Sequence, residues 1–170
     1  MTAETLTATQ AAASVNPRRS GGSGVVHCAY GTYEIAANVE DGDIFEMCKI
    51  PAGARVIGGW VYADDIDTDG SETLDMDIGW AANGGSGTFD TADPDGFGNL
   101  GVWVGDPFAN GSTSATTGNV FPLSGVLADG DCPKFTMDTT IQLEANAVAA
   151  TFTAGAASVV VLYIVEAQTS

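Results

Sequence analysis

The sequence predicts an all-β fold: a jelly-roll-like antiparallel β-sandwich preceded by a flexible N-terminal arm. Three observations carry that expectation. Turn dipeptides punctuate the chain at Asp41-Gly42, Asp69-Gly70, Asn83-Gly84, Asp95-Gly96, Asn110-Gly111 and Asp129-Gly130. Val, Ile, Thr, Tyr and Trp fill the segments between them, and these residues suit a pleated, half-buried surface. Several of those segments also alternate apolar and polar residues with a period of two.

Residues 1–24 stand apart. They are rich in Ala, Thr, Ser and Gly, hold no aromatic residue and end in "GGSG", which reads as a flexible arm. Within it "TLTATQAAASV" has the composition of a short helix. Residues 25–170 read as a single β-sandwich domain. Strands are expected at 25–37, 44–50, 54–63, 72–80, 98–104, 120–127, 134–144 and 157–167. In 72–80, Leu74, Met76, Ile78 and Trp80 fall on one face and Asp75 and Asp77 on the other. In 134–144, Phe135, Met137, Ile141 and Leu143 share a face opposite Lys134, Thr136, Asp138, Gln142 and Glu144. Residues 83–119 are rich in Gly, Asn, Ser, Thr and Asp. They read as a long excursion in which "DPDG" (93–96) makes a strong turn and 99–108 forms a short apolar island with Trp103 and Phe108.

The last strand is apolar on both faces. Val159, Val161, Tyr163 and Val165 suit the core, which leaves Val160, Leu162 and Ile164 on the outside in need of cover. The outer face of an antiparallel sandwich usually meets water, so this excess points to a covering loop or a neighbouring subunit.

Charge narrows the function. The net charge is −17 over 170 residues. Residues 1–24 carry a net +1 from Arg18, Arg19 and Glu4, so the remaining 146 residues carry −18. Such a body repels phosphate backbones and anionic lipid, which argues against direct nucleic-acid binding. There is no apolar run of membrane-spanning length and no secretory leader pattern, so neither a membrane location nor export is expected. Three cysteines, Cys28, Cys48 and Cys132, make no disulfide framework and contain no CxxC pair. Folding in a reducing cytoplasm fits that set.

The acidic stretch "ADDIDTDGSETLDMD" (63–77) invites a metal reading. Asp65, Asp67, Asp69 and Gly70 fall at positions 1, 3, 5 and 6 of an EF-hand loop. Position 12 should be a chelating Glu and is Met76; position 8 should be apolar and is Glu72. The stretch therefore reads as the acidic turn of a β-hairpin with solvated carboxylates, beside the alternative of a different oxygen cage built on Asp64, Asp65, Asp67 and Asp69. No metal or cofactor is expected. No catalytic residue is expected either: His27 is the sole histidine, and as a strand neighbour of Cys28 it points to the opposite face. His27 reads as a surface or edge residue. Arg18 and Arg19, behind Pro17, form a basic element that suits pairing with a partner's carboxylates.

Residues 41–84, "DGDIFEMCKIPAGARVIGGWVYADDIDTDGSETLDMDIGWAANG", resemble small head-associated structural proteins of tailed bacteriophages, the decoration or cement proteins. The shared elements are a strand over 43–56 turning at Pro51-Ala52-Gly53, a strand ending in "ADDIDT", the alternating "LDMDIGWA" and a closing strand like "VVVLYIVEA". The resemblance covers roughly 25–167, more loosely outside 41–84. It implies a jelly-roll-like domain on the outer capsid surface, assembled in the host cytoplasm. There it would bind the major capsid protein as a homotrimer and hold neighbouring capsomers together. Arg18, Arg19, Trp103, Phe108, Val160, Leu162 and Ile164 are the expected capsid or subunit contacts. The alternative role is a head spike, a fibre base, or a carbohydrate- or receptor-binding module that stacks sugars on Trp60, Tyr62, Trp80, Trp103 and Phe108.

Overall fold

The computed structural model describes residues 3–12, 25–103 and 132–165. Among the described residues eight strands follow in order: β1 (Thr5–Thr7), β2 (Val26–Ile35), β3 (Ile44–Ile50), β4 (Ala54–Ala63), β5 (Asp75–Trp80), β6 (Asp93–Val102), β7 (Thr139–Ala145) and β8 (Gly155–Val165). They form two sheets, a five-stranded one in the order β1-β3-β7-β5-β6 and a three-stranded one in the order β2-β8-β4. All pairings are antiparallel except β1 with β3. The two sheets bury one apolar core between them, so the chain is the jelly-roll-like sandwich the sequence predicts.

Alternation fixes which residues enter that core. Along β8, Ala157, Val159, Val161 and Tyr163 are fully buried, while Ser158, Val160, Leu162 and Ile164 face outward. From the other sheet come Phe45, Met47, Met76, Ile78, Ile141 and Leu143. Trp80 sits where β5, β6 and the segment before β7 meet. Its ring meets Phe97, Phe135 and Phe89 edge-on, with centroids 4.9, 5.4 and 5.8 Å away, and its indole N–H donates to the Thr91 carbonyl at 2.9 Å. Gly96 lies directly against the indole, and a Cβ there would overlap the ring.

Three elements differ from the sequence expectation. "DPDG" is not a turn but the start of β6. Among the described strands it lies at the edge of its sheet, where Pro94 forfeits no hydrogen bond to a described neighbour, and two irregularities in the β5–β6 register absorb the misfit. The strand expected from Lys134 begins at Thr139 instead. Phe135 is drawn onto Trp80, and Asp90 captures Thr136 through its backbone N–H and its hydroxyl. The alternation breaks there, and Met137 is left exposed. His27 is where the sequence places it, partly exposed on β2 at an edge of the described three-stranded sheet, its ring 5.5 Å from that of Tyr163 and Cys28 on the opposite face.

Residues 3–12 of the expected arm pack on the domain. Thr5–Thr7 pair in parallel with Ile44–Glu46, Ala8 donates its N–H to the Glu46 carbonyl at 2.8 Å, and Asp43 accepts the Glu4 N–H at 2.8 Å. Residues 9–11 make a single 3-10 turn, and Ala8 and Ala11 are buried. The expected strand 120–127 lies outside the described residues, as do residues 104–119 of the excursion.

Candidate functional site

The acidic stretch resolves as a structural corner. β4 and β5 belong to different sheets, so residues 64–74 carry the chain across the sandwich rather than round a hairpin. Asp67 is buried there, not solvated. Its carboxylate accepts four backbone N–H groups, from Thr73 (2.7 Å), Leu74 (3.1 Å), Ala150 (3.0 Å) and Thr151 (2.9 Å). Burial pushes the carboxyl up, and the four donors more than reverse that, taking its pKa down to about 2. Asp69 caps the Ser71 N–H at 2.9 Å and accepts the Thr151 hydroxyl at 3.0 Å. Asp64 accepts the Ala156 N–H at 2.8 Å. Backbone amides and the Thr151 hydroxyl thus take oxygens of Asp64, Asp67 and Asp69 that a cation would need. Among the described residues, no group of three or more His, Cys, Asp or Glu is placed to hold a metal ion.

Asp90 plays the same part at the other end. It is buried, and it accepts the Gly87 N–H (2.6 Å), the Asn83 amide (2.8 Å), the Thr136 N–H (2.9 Å) and the Thr136 hydroxyl. Burial again raises the carboxyl, and these donors bring its pKa down to about 2. The outer face of the five-stranded sheet behaves in the opposite sense. Asp77 on β5 lies directly across from Glu144 on β7. Burial and neighbouring carboxylates push Asp77, Glu144 and Asp93 up, although a hydrogen bond with Asn146 partly offsets this at Asp77.

These shifts predict a stability profile with two limbs. Asp77, Asp93 and Glu144 bind protons more tightly folded than unfolded, so stability rises as pH first falls through the upper carboxylate range. Asp67 and Asp90 bind protons less tightly folded, so their contribution is complete above about pH 4 and is lost between about pH 4 and 2, at about 2 kcal/mol each. Thermal melts across the acid range should therefore show a maximum in mildly acidic buffer and a steep fall below it. A flat profile would contradict the two buried carboxylates.

The surface feature that stands out is the outer face of the three-stranded sheet. Register places its side chains in rows across β2, β8 and β4. Val26, Ile164 and Arg55 form the first, and Cys28 and Leu162 lead to the bulge at Gly58, beside which Ile57 is exposed. Tyr30, Val160 and Trp60 form the next, then Thr32, Ser158 and Tyr62. Tyr30 is 62% exposed, Tyr62 48% and Trp60 42%. Val160, Leu162 and Ile164 are half-buried between those flanks. Along β2, β8 and β4 the charged residues of this face are Arg55 near one end and Glu34 near the other.

Of the predicted contact residues, the structure brings together Val160, Leu162 and Ile164. Trp103 is buried instead, with its backbone N–H donating to Leu74 at 2.8 Å. Arg18, Arg19 and Phe108 lie outside the described residues. Of the aromatics considered for sugar stacking, Trp60 and Tyr62 are exposed, and Trp80 and Trp103 are buried. Tyr30 was not singled out by sequence. The signal was present in the alternation Val26, Cys28, Tyr30, Thr32, but assigning its face requires the β2–β8 register.

No protein-family model matches the chain, and no curated protein does. Solved structures do. A chain in the capsid of Ralstonia phage GP4 superposes with a TM-score of 0.62 at 19% identity, over 96% of this chain and 99% of that one. A chain in the capsid asymmetric unit of cyanophage Pam1 gives a TM-score of 0.53 at 19% identity, over 91% and 94%. The sandwich is therefore a fold found in phage capsid structures, shared over nearly the whole length of both chains.

Proposed function

We propose that the chain is a structural virion protein that decorates and stabilises the outer surface of a tailed-phage capsid, binding the major capsid protein as a homotrimer. The observation that carries this reading is the likeness of nearly the entire chain to chains of phage capsids, with 99% of the GP4 chain covered. A shell component needs a rigid frame and a contact surface, and needs no reaction centre. The hydrogen-bonded carboxylates at Asp67 and Asp90 supply rigidity, and the outer face of the three-stranded sheet supplies a surface. A trimer that engages several capsid subunits at once gains avidity from weak single contacts.

Exposed Tyr30, Trp60 and Tyr62 favour one second reading, a head spike, fibre base or carbohydrate-binding module in which aromatic rings stack on sugars. Mixing the purified chain with capsids that lack it, then pelleting, separates the two. Decoration predicts saturable co-pelleting. A chain that stays in the supernatant and binds a glycan array, with loss on Trp60→Ala, would replace decoration by the second reading.

A further inference from the structure

We infer that the outer face of the β2-β8-β4 sheet is covered by further copies of this chain, so that it is a self-association surface and capsid contacts lie elsewhere on the molecule. This rests on the reading of the chain as a multi-copy shell component and names which partner takes this face.

Size is the first argument. Three strands about 4.8 Å apart, with ten residues at about 3.3 Å each, span a face on the order of 500 Å². About half of it is contiguous apolar surface, running from Val26 and Ile164 through Leu162 to Tyr30, Val160 and Trp60, and Thr32, Ser158, Arg55 and Glu34 make up its margins. It is large enough to be the core of a standard contact of about 800 Å² per partner. Its centre is aromatic and aliphatic, the composition of an interface core, with Tyr30 and Trp60 flanking Val160.

Charge selects the partner. The molecule carries −17, so two copies that meet through an average surface bring carboxylates together. On this face the middle rows hold no ionisable acid or base other than Cys28 and the tyrosines, and Arg55 and Glu34 sit towards opposite ends. It is a neutral window in an acidic body, and two copies can approach through it without that repulsion. A basic partner would instead be drawn to the acidic outer face of the five-stranded sheet, where Glu144 lies near the exposed Asp95 and Asp41. The protein must also remain soluble before it joins a particle. The apolar centre of this face, with Tyr30 and Trp60 exposed, stays out of water in the free protein if other copies already cover it.

The test is the solution mass of the full chain by sedimentation over a concentration series, with Trp60→Glu and Tyr30→Glu as variants. Each exposed ring is replaced by a carboxylate that the neutral window would have to bury. The unmodified chain should be oligomeric, and either variant should raise its dissociation constant at least about tenfold while keeping the circular dichroism of a folded β protein. Cys28, on the same face, gives a second measurement that needs no variant. Its alkylation by a bulky maleimide, read by mass spectrometry, should be slow in the oligomer and fast on dilution. A monomer at all concentrations, an oligomer unmoved by either variant, or Cys28 alkylation independent of concentration would overturn the inference. Capsid pelleting does not enter this test. Loss of self-association would remove the homotrimer and leave capsid binding to be judged by pelleting alone, whereas loss of pelleting would leave self-association standing.

Discussion

Asp67→Ala should destabilise the fold by about 4 kcal/mol at neutral pH, because four buried backbone donors lose their acceptor at once. Thr73 and Leu74 lead into β5, whereas Ala150 and Thr151 lie in the connection from β7 to β8, more than 80 residues from Asp67. One carboxylate therefore ties the corner between the sheets to the far end of the chain. The backbone pairings around it, Thr68 to Thr151 and Thr153 to Ile66, do not reach those four donors. Asp67→Asn keeps the shape and one acceptor oxygen but turns an NH2 group toward N–H donors, so its loss should fall between alanine and the parent. Denaturant melts give the ranking. A second signature is specific to this account: Asp67→Ala should lose its share of the stability drop between about pH 4 and 2, because the carboxylate that titrates there is gone. An alanine variant as stable as the parent would show that Asp67 does not hold the corner.

Trp80→Ala is the second large effect, expected to cost about 4 kcal/mol and lower the melting temperature by about 10 °C. The ring is 2% exposed and is packed on by three phenylalanines from three segments, with Gly96 flat against it. No neighbour can move into the space cheaply. Gly96 has no side chain, and Phe97 and Phe135 are fixed by the strand and segment that carry them. Thr91 also loses the indole donor. Trp80→Phe should recover part of the loss by filling volume without that hydrogen bond. A Trp80→Ala variant with an unchanged melting temperature would contradict the packing described here.

The sequence made the strands with strong alternation legible. β3 matches its expected bounds, as does β4, and β8 declared both its buried face and its apolar outer face. Val160, Leu162 and Ile164 could be singled out because a strand apolar on both sides is unusual in an antiparallel sandwich. What stayed hidden depends on distant partners. Residues 5–7 join a sheet through backbone hydrogen bonds, which composition does not reveal. "DPDG" carries the chemistry of a turn, and only its place at a sheet edge allows it to pair. Asp67 looks like a calcium ligand because Asp-rich loops with glycine serve both purposes. Its four amide donors become visible only when residues 150–151 are folded beside it. Met137 fits the alternation of its segment and is exposed because Asp90 and Trp80 claim its neighbours.

The central claim is that this sandwich stands on the outside of a phage shell. An electron microscopy map of the intact particle whose genome encodes the chain tests it most directly. The account predicts density for the two-sheet domain on the outer surface, in symmetric groups, with the β2-β8-β4 faces of neighbouring copies turned toward each other. Density for the domain inside the shell, or a particle without it, would contradict the account.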